Sequence, residues 1–409
     1  MAKQNIGVLF LAIAVLFLRG TAYAGTYYTS PNGADSYTCM QAQSPSTPKA
    51  TIQAAIGCLT AGDTLIVRDG TYSGSGASQC GGTPIFCVTT GGLPGAWITV
   101  RAEKPCSKLN STVPVCSTKL DGIGLRSHGI LLAGSVSFVR IEGFEITGTT
   151  MSAVLLNNTG SDFELSGNYI HAVGRVCDTV TGTTRSGIYN SRSRVLIDRN
   201  LITDVGRYAN GENGCSGTVV NQDHGIYSSG SDVTIRNNVM YSLVRGYMIT
   251  IYHHNSACAV TNLRILNNTF VFPHPNRDGH IQFACDISNS DIANNISYSP
   301  TKAFMNYFAG AYSGVTVRNN MVYNASLGTS APGGITNSGN VSADPQFVDA
   351  SARNFRLKSG SRAIDTGLIL TDVDRDYDGI SRSRHDIGAH EFGGGGAPAP
   401  PTGVRIVVN

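Results

Sequence analysis

Four ionisable residues, Arg185, Asp223, His253 and His280, each stand fifteen positions before an asparagine that recurs along the chain, at Asn200, Asn238, Asn268 and Asn295. At offset thirteen stand Gly187, Gly225, Asn255 and Gln282, small or polar neighbours that leave such a column accessible. A guanidinium can grip a carboxylate through paired hydrogen bonds, an imidazole can take a proton near neutral pH, and a phenol such as Tyr227 can donate one. That set suits removal of a proton beside a carboxylate. The expected catalytic residues are therefore Arg185, Asp223, His253, His280 and Tyr227, with Asp223 orienting a histidine or helping to hold Ca²⁺. Tyr189, Asn255, Gln282, Arg245, His224 and His254 are the expected binding residues. Of these, His224 and His254 fall at offset fourteen, an inward phase where a histidine more often satisfies the core.

These offsets have meaning only if the asparagine marks a structural repeat. LSGNYI, IDRNLI, IRNNVM, ILNNTF, IANNIS and VRNNMV recur, with IEGFEI as a degenerate copy, placing the repeat position at Phe144, Asn168, Asn200, Asn238, Asn268, Asn295 and Asn320. The intervals are 24, 32, 38, 30, 27 and 25 residues. Strand-like alternation at such a period describes stacked coils of short parallel strands. Asparagine tolerates left-handed backbone, and its amide can bond the next coil, which suits a tight corner. Apolar residues at offset twelve, Ile188, Ile226 and Phe283, set even offsets inward and odd ones outward. The polar column then faces outward, beneath the longest insertions. On the flanking coils the same position holds Ala153 and Met305.

Cys258 and Cys285 share offset ten, so they stack within disulfide reach. Coils touch only adjacent coils, which pairs the ten cysteines by sequence neighbour: Cys39 with Cys58, Cys80 with Cys87, Cys106 with Cys116, Cys177 with Cys215, and Cys258 with Cys285. Their even number points to an oxidising compartment. Lys3, the apolar run 6–18 and Ala22-Tyr23-Ala24 read as a signal peptide over 1–24, so the protein is expected to be secreted or periplasmic. The apolar run is shorter than a membrane span, and a formal net charge of +3 is too small to suggest nucleic-acid binding. Charged residues make up only 14%, poor material for long exposed helices.

Residues 25–60 form the expected N-terminal cap, with a helix over Ser46–Leu59 N-capped by Ser46 or Thr47 and burying Ile52, Ala55, Ile56 and Leu59. Coils run over 61–340, an irregular cap over 341–392 and a Gly/Pro-rich linker and tail over 393–409. In the cap, Asp374, Asp376, Asp378 and Gly379 imitate the opening of a Ca²⁺ loop, but its twelfth position is His385 rather than Glu, which favours a structural turn.

Together these features resemble the right-handed parallel β-helix proteins of the pectate-lyase-like superfamily, and SADPQFVDASARNFRLKSGSRAIDTGL with DVDRDYDGISR and HDIGAHEF looks like a choice-of-anchor Q segment. The resemblance implies an all-β solenoid whose groove holds an extended, often acidic, polysaccharide. For a uronate polymer, the chemistry of the column becomes β-elimination by a monomeric lyase, with Ca²⁺ a candidate cofactor. The alternatives are a non-catalytic carbohydrate-binding protein, a glycoside hydrolase and a uronate epimerase. Hydrolysis needs two facing carboxylates, whereas Asp223 is alone in the column and no Asp-Asp pair occurs.

Overall fold

The structure, a computed structural model, describes residues 24–107, 113–157, 159–178, 183–216, 222–243, 245–253 and 258–393. The expected signal peptide, His254, Asn255 and the tail beyond residue 393 lie outside the described residues. Each coil runs through three short strands, exemplified by Val195–Asp198, Leu201–Thr203 and His224–Ser228, before the next coil opens with Val233–Arg236. Stacked coil on coil in parallel register, these become sheets 1, 2 and 3, of eleven, ten and nine strands among the described residues. The chain is thus a right-handed parallel β-helix. Its interior is lined by columns such as Ile141, Leu165, Ile197, Ile235, Ile265, Ile292 and Val317, all fully buried. Each such side chain contributes roughly 2 kcal/mol on leaving water.

The corner between sheets 1 and 2 divides its work between two residues. Left-handed backbone falls on the residue before each ladder asparagine, Arg199, Asn237, Asn267, Asn294 and Asn319, with φ of 49–56°. The ladder asparagine itself is buried and makes the bonds: Asn200 Nδ2 donates to Asn238 Oδ1 at 3.0 Å, Asn238 to Asn268 at 3.0 Å, and Asn268 to Asn295 at 3.0 Å. Each Oδ1 also accepts the previous coil's asparagine N–H, as Asn268 Oδ1 does from Asn238 at 2.9 Å. Asn340 adds a rung twenty residues beyond Asn320, too short an interval to stand out in the sequence.

The ends differ from expectation in detail. The helix is confined to Ile52–Ile56 and is capped by Thr51, whose Oγ1 accepts from Ala54 N at 3.1 Å, while Asp35 Oδ1 accepts from Ala50 N and Thr51 N. Ser46 and Thr47 lie in the preceding turn, because Lys49 bridges to Thr29 and holds that stretch extended. Ile52, Ala55, Ile56 and Leu59 are buried as the pattern requires. At the other end, Phe347–Asp349 and Asn354–Leu357 make an antiparallel hairpin. The following chain returns along the outer face of sheet 2, where Phe347, Phe355, Leu357, Tyr377 and Ile387 cover Leu201, Val239, Tyr241, Ile296 and Met321 in a second core.

Asn268→Ala should remove an acceptor from two Asn238 donors and a donor from Ile235 O, all buried. Each orphaned group costs roughly 1–3 kcal/mol. Denaturant unfolding should therefore show a loss of at least about 3 kcal/mol; a loss below about 1 kcal/mol would contradict the ladder's role.

Candidate functional site

The long insertions 171–185 and 204–223, with the shorter 242–248 and 272–278, connect sheet 2 to sheet 3 on successive coils. All five disulfides pair as expected, and Cys177–Cys215 staples the first two insertions together. Tyr189 and Tyr227 also stack as their shared offset requires, with centroids 4.8 Å apart and planes at 7°.

The four-residue column does not survive beyond its first two members. Strand pairing sets Ile226 beside Ile249 and Ile249 beside Ile281, so the neighbours of Gly225 in register are Met248 and then His280. His280 is fully buried in the core, its Nδ1 2.8 Å from Ser297 Oγ and its ring 5.8 Å from Phe270. His253 lies half-buried beyond the end of Ile249–Ile251. The cause is where the extra residues fall. In the coil ending at Asn268 they follow the sheet 3 strand, forming Ala259–Thr261 in an additional small sheet, so counting back from the asparagine stops short of the in-register residue. Cys258 and Cys285 kept phase because both coils carry that same added strand. Beside Asp223 stands Gly246 instead of a histidine, and a Cβ there would meet Asp223 O at 1.3 Å, so only glycine fits.

Nor do Arg185 and Asp223 face solvent. Asp223 is fully buried; its Oδ1 accepts from Arg185 N at 3.0 Å and its Oδ2 from Arg207 N at 2.8 Å, while Arg207 Nη1 lies 3.2 Å from Oδ1. Burial pushes its carboxyl upward against the pull of Arg207 and Arg185. It therefore pins two loop backbones rather than reaching a ligand. A Ca²⁺ ion there would meet two guanidinium groups and occupied carboxylate oxygens, so these residues do not fit that cofactor. In the cap, Asp376 accepts from Ile380 N and Glu391 N, and Asp378 from Arg356 and His390, which is the hydrogen-bonding of a structural turn.

What the corner gathers is arginine. Arg185 pairs with Asp178, and Arg207 donates to Thr183 O at 2.6 Å. Arg245 Nη2 donates to Tyr208 O at 3.1 Å, and Arg277 Nε donates to Arg245 O at 3.1 Å while its guanidinium lies 5.4 Å from the Tyr247 ring centre. Arg185 Nε and Nη1, Arg245 Nε and Arg277 Nη2 are buried with no acceptor among the described residues. Burial lowers the pKa of both Arg185 and Arg277, and neighbouring Arg207 lowers that of Arg185 further. His224 is buried here and neutral: burial and, secondarily, Arg277 push it down to about 3, and its Nδ1 accepts from Tyr247 N at 3.2 Å. Beside the corner, the outer face of sheet 3 carries Tyr189, Tyr227, Thr250, Gln282 and Asn306 in register. Thr250 Oγ1 donates to Gln282 Oε1 at 2.9 Å and Asn306 Nδ2 to Tyr247 Oη at 2.6 Å. Arg207, Arg277 and Tyr247 were missed by the offset count because they lie in insertions, outside any repeating phase; their presence in consecutive insertions was the available signal.

A family model described as "Disaggregatase related" matches residues 161–376, more than half of the chain, and the chain belongs to that family. Among solved structures, pectate lyase Pel9A is similar with a TM-score of 0.57 at 16% identity, covering 91% of this chain and 97% of that one. An alginate lyase from Paenibacillus sp. str. FPU-7 is similar with a TM-score of 0.48 at 17% identity, covering 70% of this chain and 96% of that one. No curated protein matches the sequence. The likeness to the pectate lyase covers most of the chain and concerns the fold.

Buried histidines give the fold a defined acid limit. Burial is the leading cause that pushes His280 down to about 3 and His128 down to about 4, as it does His224. Folded-state values below the unfolded one mean that their contribution is complete above about pH 6.5 and is lost as pH falls toward 3–4, at up to about 1.4 kcal/mol per pH unit per histidine. Glu391, which burial pushes up to about 7, opposes this by favouring the acid side. Stability measured from pH 7 to 4.5 should fall, and His280→Phe should reduce the slope by about one proton. An unchanged slope in that variant would show His280 to be charged in the fold.

Proposed function

We propose that this protein is a secreted polysaccharide lyase that binds an acidic, uronate-containing polymer at the corner between sheets 2 and 3 and cleaves it by β-elimination. The observation that carries the reading is the set of buried guanidinium atoms, Arg185 Nε and Nη1, Arg245 Nε and Arg277 Nη2, that have no acceptor among the described residues. An unmet buried donor costs roughly 1–3 kcal/mol, and an anionic acceptor recovers it in a charge-assisted bond. A carboxylate on every sugar supplies such acceptors repeatedly, and coils stacked about 4.8 Å apart present donors at comparable intervals. The stapled insertions pre-order the loops and so lower the entropic cost of binding. The family's description and the β-helix shared with a pectate lyase agree with a polymer-directed role, and pectate is the first substrate to try. Export rests on the signal-like N-terminus and the five disulfides, and the segment beyond residue 341 is read as a choice-of-anchor Q region.

Incubation with pectate, alginate, polyglucuronate and glycosaminoglycans should give ultraviolet absorbance from unsaturated products on one of them. New reducing ends without absorbance would indicate hydrolysis, and binding without product a carbohydrate-binding protein. Arg277→Ala leaves no paired carboxylate behind among the described residues, so melting should change little while affinity for the acidic polymer falls at least about tenfold, or 1.4 kcal/mol. Unchanged affinity would remove the arginine corner from the site.

A further inference from the structure

Sheet 2 turns two unlike halves outward. Over its later coils the outward residues are apolar and covered by the returning C-terminal chain. Over its earlier coils they are Lys119, Glu145, Tyr169 and His171, all half-buried, with Tyr169 at the boundary, packed against the edge of the covered half. Register pairs Lys119 with Glu145 and Glu145 with Tyr169 on successive coils, and His171 follows two residues later on the same face. Glu145 Oε1 lies 3.1 Å from Lys119 Nζ and 3.0 Å from His171 Nε2, and the rings of Tyr169 and His171 stack with centroids 4.2 Å apart and planes at 20°. His171 Nδ1 and Tyr169 Oη make no hydrogen bond among the described residues. The chain passes directly from His171 into the insertion that carries Asp178 and Arg185 of the arginine corner.

A carboxylate that fixes one imidazole nitrogen leaves the other oriented as a proton acceptor. Among the described residues of the arginine corner no histidine is held in this way: Asp223 is enclosed, His224 is occupied, His280 is in the core, and the Nδ1 of His274, near Arg245 and Arg277, accepts from Asn276 N at 3.2 Å. We propose that His171, held by Glu145, is the base of the elimination, that Tyr169 is its acid, and that Lys119 pairs with the substrate carboxylate; the inference rests on the lyase reading above. His171 Nδ1 removes the proton on the carbon bearing the carboxylate. The electron pair of that C–H bond becomes the new C=C bond, and the adjacent C–O bond breaks with its pair on the leaving oxygen. Tyr169 Oη protonates that oxygen, and solvent returns a proton to the phenolate and removes one from the imidazolium. Burial pushes Tyr169 up to about 12, which keeps it protonated until the leaving oxygen develops charge. Burial acts to raise Glu145, but His171 and Lys119 outweigh it and hold the carboxyl below its usual range, ionised as the dyad requires. Base and acid on one face fit departure of proton and leaving group from the same side of the sugar.

On the polymer that the wild type cleaves, His171→Ala and Glu145→Gln should lower kcat by at least about a hundredfold, the scale of general base catalysis, with KM changed less than about threefold. Added imidazole should restore part of the turnover of His171→Ala, an effect that a structural role cannot produce. His171→Gln guards against loss of packing and should be as slow as the alanine variant while melting normally. Turnover within tenfold of wild type, or no response to imidazole, overturns the dyad while leaving the lyase reading intact. A wild type that makes no unsaturated product from any polymer overturns both.

Discussion

A parallel β-helix has no long local contacts to hold one coil over the next, and the buried amide ladder supplies that registration. From Asn200 to Asn320 each amide accepts two bonds from the asparagine of the coil before it and donates to the asparagine of the coil after it, with Asn168 and Asn340 closing the two ends. The ladder permits little slippage, because a shift of one residue would leave several buried polar groups unpaired and turn each inward column outward. The pairing of the sheets, and the stacking of Tyr189 on Tyr227, follow from that registration.

With one corner fixed, variation in coil length is absorbed at the other two. The extra residues of 171–185 and 204–223 leave between sheets 2 and 3 and are stapled by Cys177–Cys215. Asp223 then takes over as a local anchor, accepting from the backbones of both insertions and from the Arg207 side chain. The buried arginines depend on that anchor for position. The same economy appears outside sheet 2, where an apolar outer face would be a liability in water and is covered by the returning chain through Arg382, which reaches Asn237 Oδ1 at 3.0 Å.

The fold was legible because its repeat is carried by residues whose physics is fixed: buried aliphatics flanking an asparagine. The disulfide pairs followed from the same stacking. The site was only partly legible. Counting back from the asparagine held for Arg185 and Asp223, whose coils insert before the sheet 3 strand, and failed for His253 and His280, whose coils insert after it. Sequence alternation also assigned the first two to solvent, whereas the insertions fold over them; inward and outward are properties of the strand, and burial is a property of what the loops cover. Helix capping failed for a similar reason, since Asp35, distant in sequence, fixes Thr51 as the cap.

Hydrogen exchange with and without a saturating acidic oligosaccharide tests most directly whether the corner between sheets 2 and 3 is where an acidic chain binds. The account predicts added protection at the described residues of 171–186 and 206–228, at 245–250 and at 277–282, with sheet 1 unchanged. Protection confined to the outer face of sheet 1, or to the C-terminal chain over sheet 2, would contradict it.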